Sequence, residues 1–142
     1  MKITAAVLLG ILIPGLAVAD QIPVRAFGVI LSHENPERED VGKLRFRGGL
    51  DLRSSDDRFG GFSGLDISAD GGRLTAIGDR GTWFSALLSY GGDGYLQGIS
   101  DTRLLPVLDA DGKPLSGRPY TDSESIARLT DGTMIVGFEQ RH

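Results

Sequence analysis

An all-β fold is what this sequence predicts, on three observations. Leu44, Phe46, Gly48, Leu50 and Leu52 alternate strictly with Arg45, Arg47, Gly49, Asp51 and Arg53. A period of two belongs to a half-buried strand, or here to two strands bent at Gly48-Gly49. Asp-Gly recurs at Asp70-Gly71, Asp93-Gly94, Asp111-Gly112 and Asp131-Gly132, each between short apolar runs. A tight hairpin turn needs positive φ, which Asp and Gly tolerate best, so these four dipeptides read as hairpin tips. No stretch sustains a three-to-four-residue apolar period long enough for a helix.

The elements follow in order from the N-terminus. Lys2 precedes an apolar run over residues 3–16, broken by Thr4, Gly10 and Pro14-Gly15, and then comes Ala17-Val18-Ala19. That is the order of a secretory signal peptide with an A-x-A cleavage site, so residues 1–19 are expected to be removed and residues 20–142 to form one domain. The run is shorter than the about 20 residues a bilayer needs, and no membrane span is expected after cleavage. The expected location is periplasmic or secreted. Cysteine is absent, which excludes a lipoprotein anchor and disulfides and leaves packing to stabilise the fold. The formal charge of −4 becomes one unit more negative once Lys2 is lost, and the remaining chain has no basic patch. Nucleic acid and anionic membrane are therefore not expected partners.

Strands are expected over residues 23–31, 44–53, 64–68, 73–78, 83–90, 96–99, 125–129 and 133–138. The polar stretch 32–41, with His33, Glu34, Glu37, Glu39 and Asp40, reads as a solvated loop. Two of these strand pairs resemble each other. The segment from Gly64 to Gly71 lies over that from Ser125 to Gly132 at an offset of 61 residues, and Arg73 to Asp79 lies over Thr133 to Glu139 at 60. Each copy is a strand, an Asp-Gly turn, a second strand and an acid just past the last apolar residue. Short antiparallel strands repeated at a fixed period suggest blades of a β-propeller, about two in this chain.

Four segments in order now carry a resemblance: Phe59-Gly60-Gly61-Phe62-Ser63-Gly64-Leu65; Asp79-Arg80-Gly81 with Trp83 behind it; Asp122-Ser123-Glu124-Ser125-Ile126-Ala127; and Phe138-Glu139-Gln140-Arg141-His142. Together they resemble the phytase-like β-propeller family labelled esterase-like activity of phytase, well over residues 59–142 and loosely over 23–52. Gln140 stands where that family usually has Arg. The resemblance implies a partial propeller with its remaining blades outside this chain, since propellers use about four to eight blades. It also implies a metal-assisted esterase or phosphoesterase acting on a small-molecule ester or phosphoester.

Ligands of a propeller meet the mouth of its central channel, which makes acids beside apolar strands candidates. Asp122 and Glu124 precede the expected inner strand at Ser125, and Asp79 ends the 73–78 strand. These three are the candidate metal ligands, for a hard cation such as Ca²⁺ that takes six to eight oxygens. Arg80 offers a planar fork for phosphate or carboxylate, Glu139 is the second-copy equivalent of Asp79, and Arg141 follows on the same alternation. Arg80, Glu139 and Arg141 are the candidate catalytic groups, because a cation and arginines neutralise negative charge that develops during hydrolysis. The plainer alternatives are solvated loop acids and an internal Asp79–Arg80 pair closing a turn.

Other chemistries are poorly supported. Gly61-Phe62-Ser63-Gly64-Leu65 lacks the last glycine of a nucleophile elbow, and His33 and His142 are the only histidines. Asp109-Ala110-Asp111-Gly112 has Arg118 where a helix-loop-helix calcium site needs its bidentate Glu. Trp83 and Phe84 read as packing residues. A propeller that binds a ligand or partner protein without catalysis is the rival class.

Overall fold

The computed structural model describes residues 19–117 and 121–139. The expected signal peptide, apart from Ala19, and the candidate Arg141 lie outside the described residues.

Eleven strands and no helix occur among the described residues: β1 (Asp20–Gln21), β2 (Val24–Val29), β3 (Asp40–Val41), β4 (Leu44–Arg45), β5 (Gly49–Ser54), β6 (Phe62–Ile67), β7 (Arg73–Gly78), β8 (Thr82–Tyr90), β9 (Leu96–Pro106), β10 (Ser123–Arg128) and β11 (Met134–Phe138). All pairings are antiparallel. The main sheet has the order β1-β9-β8-β7-β6, a meander of β6 to β9 with β1 added at its outer edge. Three two-stranded sheets, β2-β5, β3-β4 and β10-β11, complete the set.

The alternating strand positions explain the layering. Leu74 and Ala76 of β7, Phe84 and Ala86 of β8, Leu104 of β9 and Ile22 form one buried cluster, and Val24 of β2 and Leu52 of β5 pack onto it. Ile77, fully buried, points to the opposite face. There β10 approaches so closely that a Cβ on Gly64 would fall 2.9 Å from both the Ile126 nitrogen and Ile77 Cγ2. The main sheet is thus covered on one face by β2-β5 and on the other by β10-β11. β7 is consequently buried on both faces, continuously from Leu74 to Gly78. Phe59, Phe62 and Phe84 close the core with ring centroids 5.1 to 5.4 Å apart. Such aromatic contacts add about 0.5–1.5 kcal/mol beyond the area they bury.

Several expectations are refined. The alternating segment is two strands: β4 pairs with β3, and the chain then turns at Gly48, whose φ is 95°, into β5. The loop expected over 32–41 therefore ends in a strand. The run begun at Leu96 continues eleven residues to Pro106, through a register shift at Asp101-Thr102 that hides its alternation. Asp101 is the one non-glycine with positive φ among the described residues, at 46°. All four Asp-Gly dipeptides do sit at turns, but only their glycines take positive φ. Each Asp keeps the ordinary conformation, and three of them cap their turns: Asp70 for the Gly72 N–H at 3.0 Å, Asp93 for the Tyr95 N–H at 3.1 Å and Asp131 for the Thr133 N–H at 2.9 Å, whereas at Asp111-Gly112 the carboxylate of Asp109 accepts from the Asp111 and Lys113 N–H groups, both at 2.9 Å.

The two similar segments are geometrically equivalent. β6 and β10 both have six residues and both carry a bulge at the same place, Phe62/Gly64 against Gly78/Ile77 and Ser123/Ser125 against Phe138/Gly137. Arg128 of β10 ties the two hairpins together through its Nε and Nη2, 3.0 and 2.6 Å from Asp66 Oδ2 of β6.

Candidate metal centre

The bulge in β10 explains how an acidic cluster forms. Ser123 is fully buried, and its hydroxyl donates to the Gly78 carbonyl at 2.7 Å, pinning the start of β10 to the end of β7. The next residue, Glu124, is the extra one in the bulge, so it lies within β10 and not before it. A bulge leaves its extra residue out of the ladder and re-aims the side chain. On the neighbouring strand, β11 ends at Phe138 and the Glu139 N–H donates to the Asp122 carbonyl at 2.9 Å. Carboxylate oxygens of Asp122, Glu124 and Glu139 consequently lie within 4.8 Å of one another. Asp122 is only 5% exposed, while Glu124 and Glu139 are exposed.

Three carboxylates this close repel one another unless a cation or protons neutralise them. None of the six ion pairs among the described residues involves any of them. An all-oxygen, strongly anionic donor set, one member of which is nearly buried, fits a hard divalent cation such as Ca²⁺ and does not suit a soft metal. Two of the expected metal ligands, Asp122 and Glu124, are thus brought together. The third member is Glu139, expected as a catalytic group.

Asp79 is held elsewhere. Its N–H donates to the Gly61 carbonyl at 2.9 Å, the counterpart of the Glu139–Asp122 bond. Its carboxylate packs on Gly61, where a Cβ would run into Oδ1. The group therefore sits where a side chain at position 61 would begin, the position equivalent to Asp122. Asp79 Oδ1 and Thr82 Oγ1 are both buried without a hydrogen-bond partner. Arg80 is exposed, and its Nη1 donates to the Asp57 carbonyl at 2.8 Å. It borders a cavity of about 360 Å³ together with Asp20, Arg58 and Thr82. No Asp79–Arg80 ion pair occurs among the described residues, so the turn is closed by backbone bonds, including Gly81 N–H to the Gly78 carbonyl at 3.0 Å.

Residues 57–142, more than half of the sequence, match the phytase-like family described as esterase-like activity of phytase. The chain belongs to that family. No curated protein and no solved structure matches it.

Every candidate side chain, from Asp79 to Arg141, falls inside the phytase-like segment, whereas β2-β5 precedes it. Sequence reasoning did not single out Ser123, Gly61 or Gly78, which position the acids. A Cβ on Gly78 would lie 2.7 Å from Thr82 Oγ1 and 3.2 Å from the Gly60 carbonyl. The Gly60-Gly61 pair was the available signal, since adjacent glycines mark a close backbone approach.

Proposed function

We propose that residues 20–142 are the N-terminal part of an exported phytase-like β-propeller in which Asp122, Glu124 and Glu139 hold a calcium ion for hydrolysis of an ester or phosphoester. The four-stranded meander β6 to β9 has the make-up of one blade, and β10-β11 that of the inner strands of the next. The observation that carries the metal reading is the carboxylate cluster, with Asp122 nearly buried and no cation among its described ion-pair partners.

A bound cation would act as a Lewis acid on the substrate oxygen. The protein's own part is to fix the ligands: Ser123 anchors β10 on Gly78, the bulge aims Glu124, and the Glu139 N–H bond to Asp122 clamps the two strands. Glu124 and Glu139, being exposed, are the two through which a substrate would reach the ion.

One observation favours the rival reading, a propeller that binds without catalysing. Arg80 is committed to the Asp57 carbonyl, so it does not serve the acidic cluster in this conformation. The test is calcium titration by calorimetry together with hydrolysis of aryl esters and aryl phosphates, on the wild type and on Glu124→Gln. Metal-assisted hydrolysis requires that the variant lose calcium affinity and activity together. Calcium binding with no hydrolysis favours the binding protein, and hydrolysis that survives both chelation and Glu124→Gln overturns the metal reading.

A further inference from the structure

On the other side of the main sheet from the acidic cluster, the geometry points to an anion site on the outer face of β2-β5 that takes a phosphate group between Arg25 and Arg53. These two arginines are directly opposed across the antiparallel pair. Like charges in that position destabilise a sheet, and an anion bound between them would relieve the repulsion. Their guanidinium carbons lie over one and the same Phe27 ring, at 5.6 and 5.2 Å, which makes the two forks converge.

The charge between them is incompletely balanced. Arg53 gives its Nε and Nη2 to Asp51 Oδ2, at 2.9 and 2.6 Å, and so keeps Nη1 for another acceptor. Arg25 takes part in none of the ion pairs among the described residues. In a chain of formal charge −4 this is a local excess of positive charge. Both side chains line a cavity of about 310 Å³, with Pro23, Ser54 and Ser55 as the rest of its lining. A tetrahedral dianion offers oxygens in several directions at once and can be gripped by both planar forks, whereas a carboxylate monoanion brings fewer oxygens and half the charge. Phosphate is therefore the ligand class, free or as a monoester.

The site stands apart from the metal reading, because its residues belong to a different sheet and its ligand has the opposite charge. The full chain is titrated with inorganic phosphate, and separately with acetate, by calorimetry and by following the arginine Nε–H signals in ¹H–¹⁵N spectra. Expected are saturable phosphate binding that shifts the Arg25 and Arg53 signals and persists in the presence of a calcium chelator, weaker acetate binding, and a loss of roughly tenfold or more in Arg25→Gln. If Arg25→Gln does not fold, the wild-type signals decide alone. Phosphate that leaves both arginine signals unmoved, or that binds Arg25→Gln as well as wild type, overturns the site.

Discussion

Glu139 donates its backbone N–H to the Asp122 carbonyl at 2.9 Å, and Asp79 makes the same bond to Gly61 at 2.9 Å in the preceding hairpin. The same backbone clamp thus carries an acidic side chain at both of its positions in one hairpin, and in the other an acid facing a glycine.

Gly61 must stay bare because its φ is 62° and the Asp79 carboxylate fills the space of a Cβ. Gly61→Ala is expected to lose about 1–2 kcal/mol from the left-handed backbone alone, and more from the collision. In an Asp79→Ser background the same change should show only the backbone part. Urea unfolding of the four proteins measures both, and an equal loss in the two backgrounds would refute the steric contact.

Calcium should stabilise the folded chain by mass action, by about 2.7 kcal/mol at a hundred times its dissociation constant. Asp122→Asn and Glu139→Gln should each reduce that increment, whereas Asp79→Asn should leave it intact, since Asp79 is not brought to the cluster. Thermal unfolding with calcium and with chelator reads the difference.

The Asp66–Arg128 contact joins β6 to β10 with side chains 14% and 35% exposed. Partial burial raises its worth above that of an open surface pair, and a double-mutant cycle of Asp66→Asn and Arg128→Gln should give a coupling of about 1 kcal/mol. A coupling near zero would mean that the Ser123–Gly78 hydrogen bond and the packing at Gly64 and Ile77 hold the hairpins together without the ion pair.

Acid should weaken the loop before β6. Side-chain and then backbone hydrogen bonds from Arg58 hold the Asp56 carboxyl at about 2, below its ordinary 3.8. A depressed carboxylate contributes stability that is fully present above its unfolded value and disappears as pH falls through the folded one. Stability should therefore decline between pH 4 and pH 2, and Asp56→Asn should make that decline shallower in acid-unfolding curves.

The residues themselves determined whatever depends on local pattern. Alternation located most of the strands, Asp-Gly located the tips, and the offset of 61 residues exposed two hairpins that share even their bulge. Side-chain period and turn chemistry are short-range properties, so they survive in the sequence unaided. The strand at Asp20–Gln21 and the second half of β9 stayed hidden, because the first is too short to show a period and the second is broken at Asp101. The partition of the acids was settled only by the tertiary structure. Asp79 and Glu139 hold the same place in their repeats, yet Glu139 joins Asp122 and Glu124 while Asp79 packs against Gly61. That outcome depends on how β10 seats on β6 and β7 through Ser123 and Gly64, contacts between residues 45 and 62 positions apart, and no local pattern encodes which carboxylates then converge.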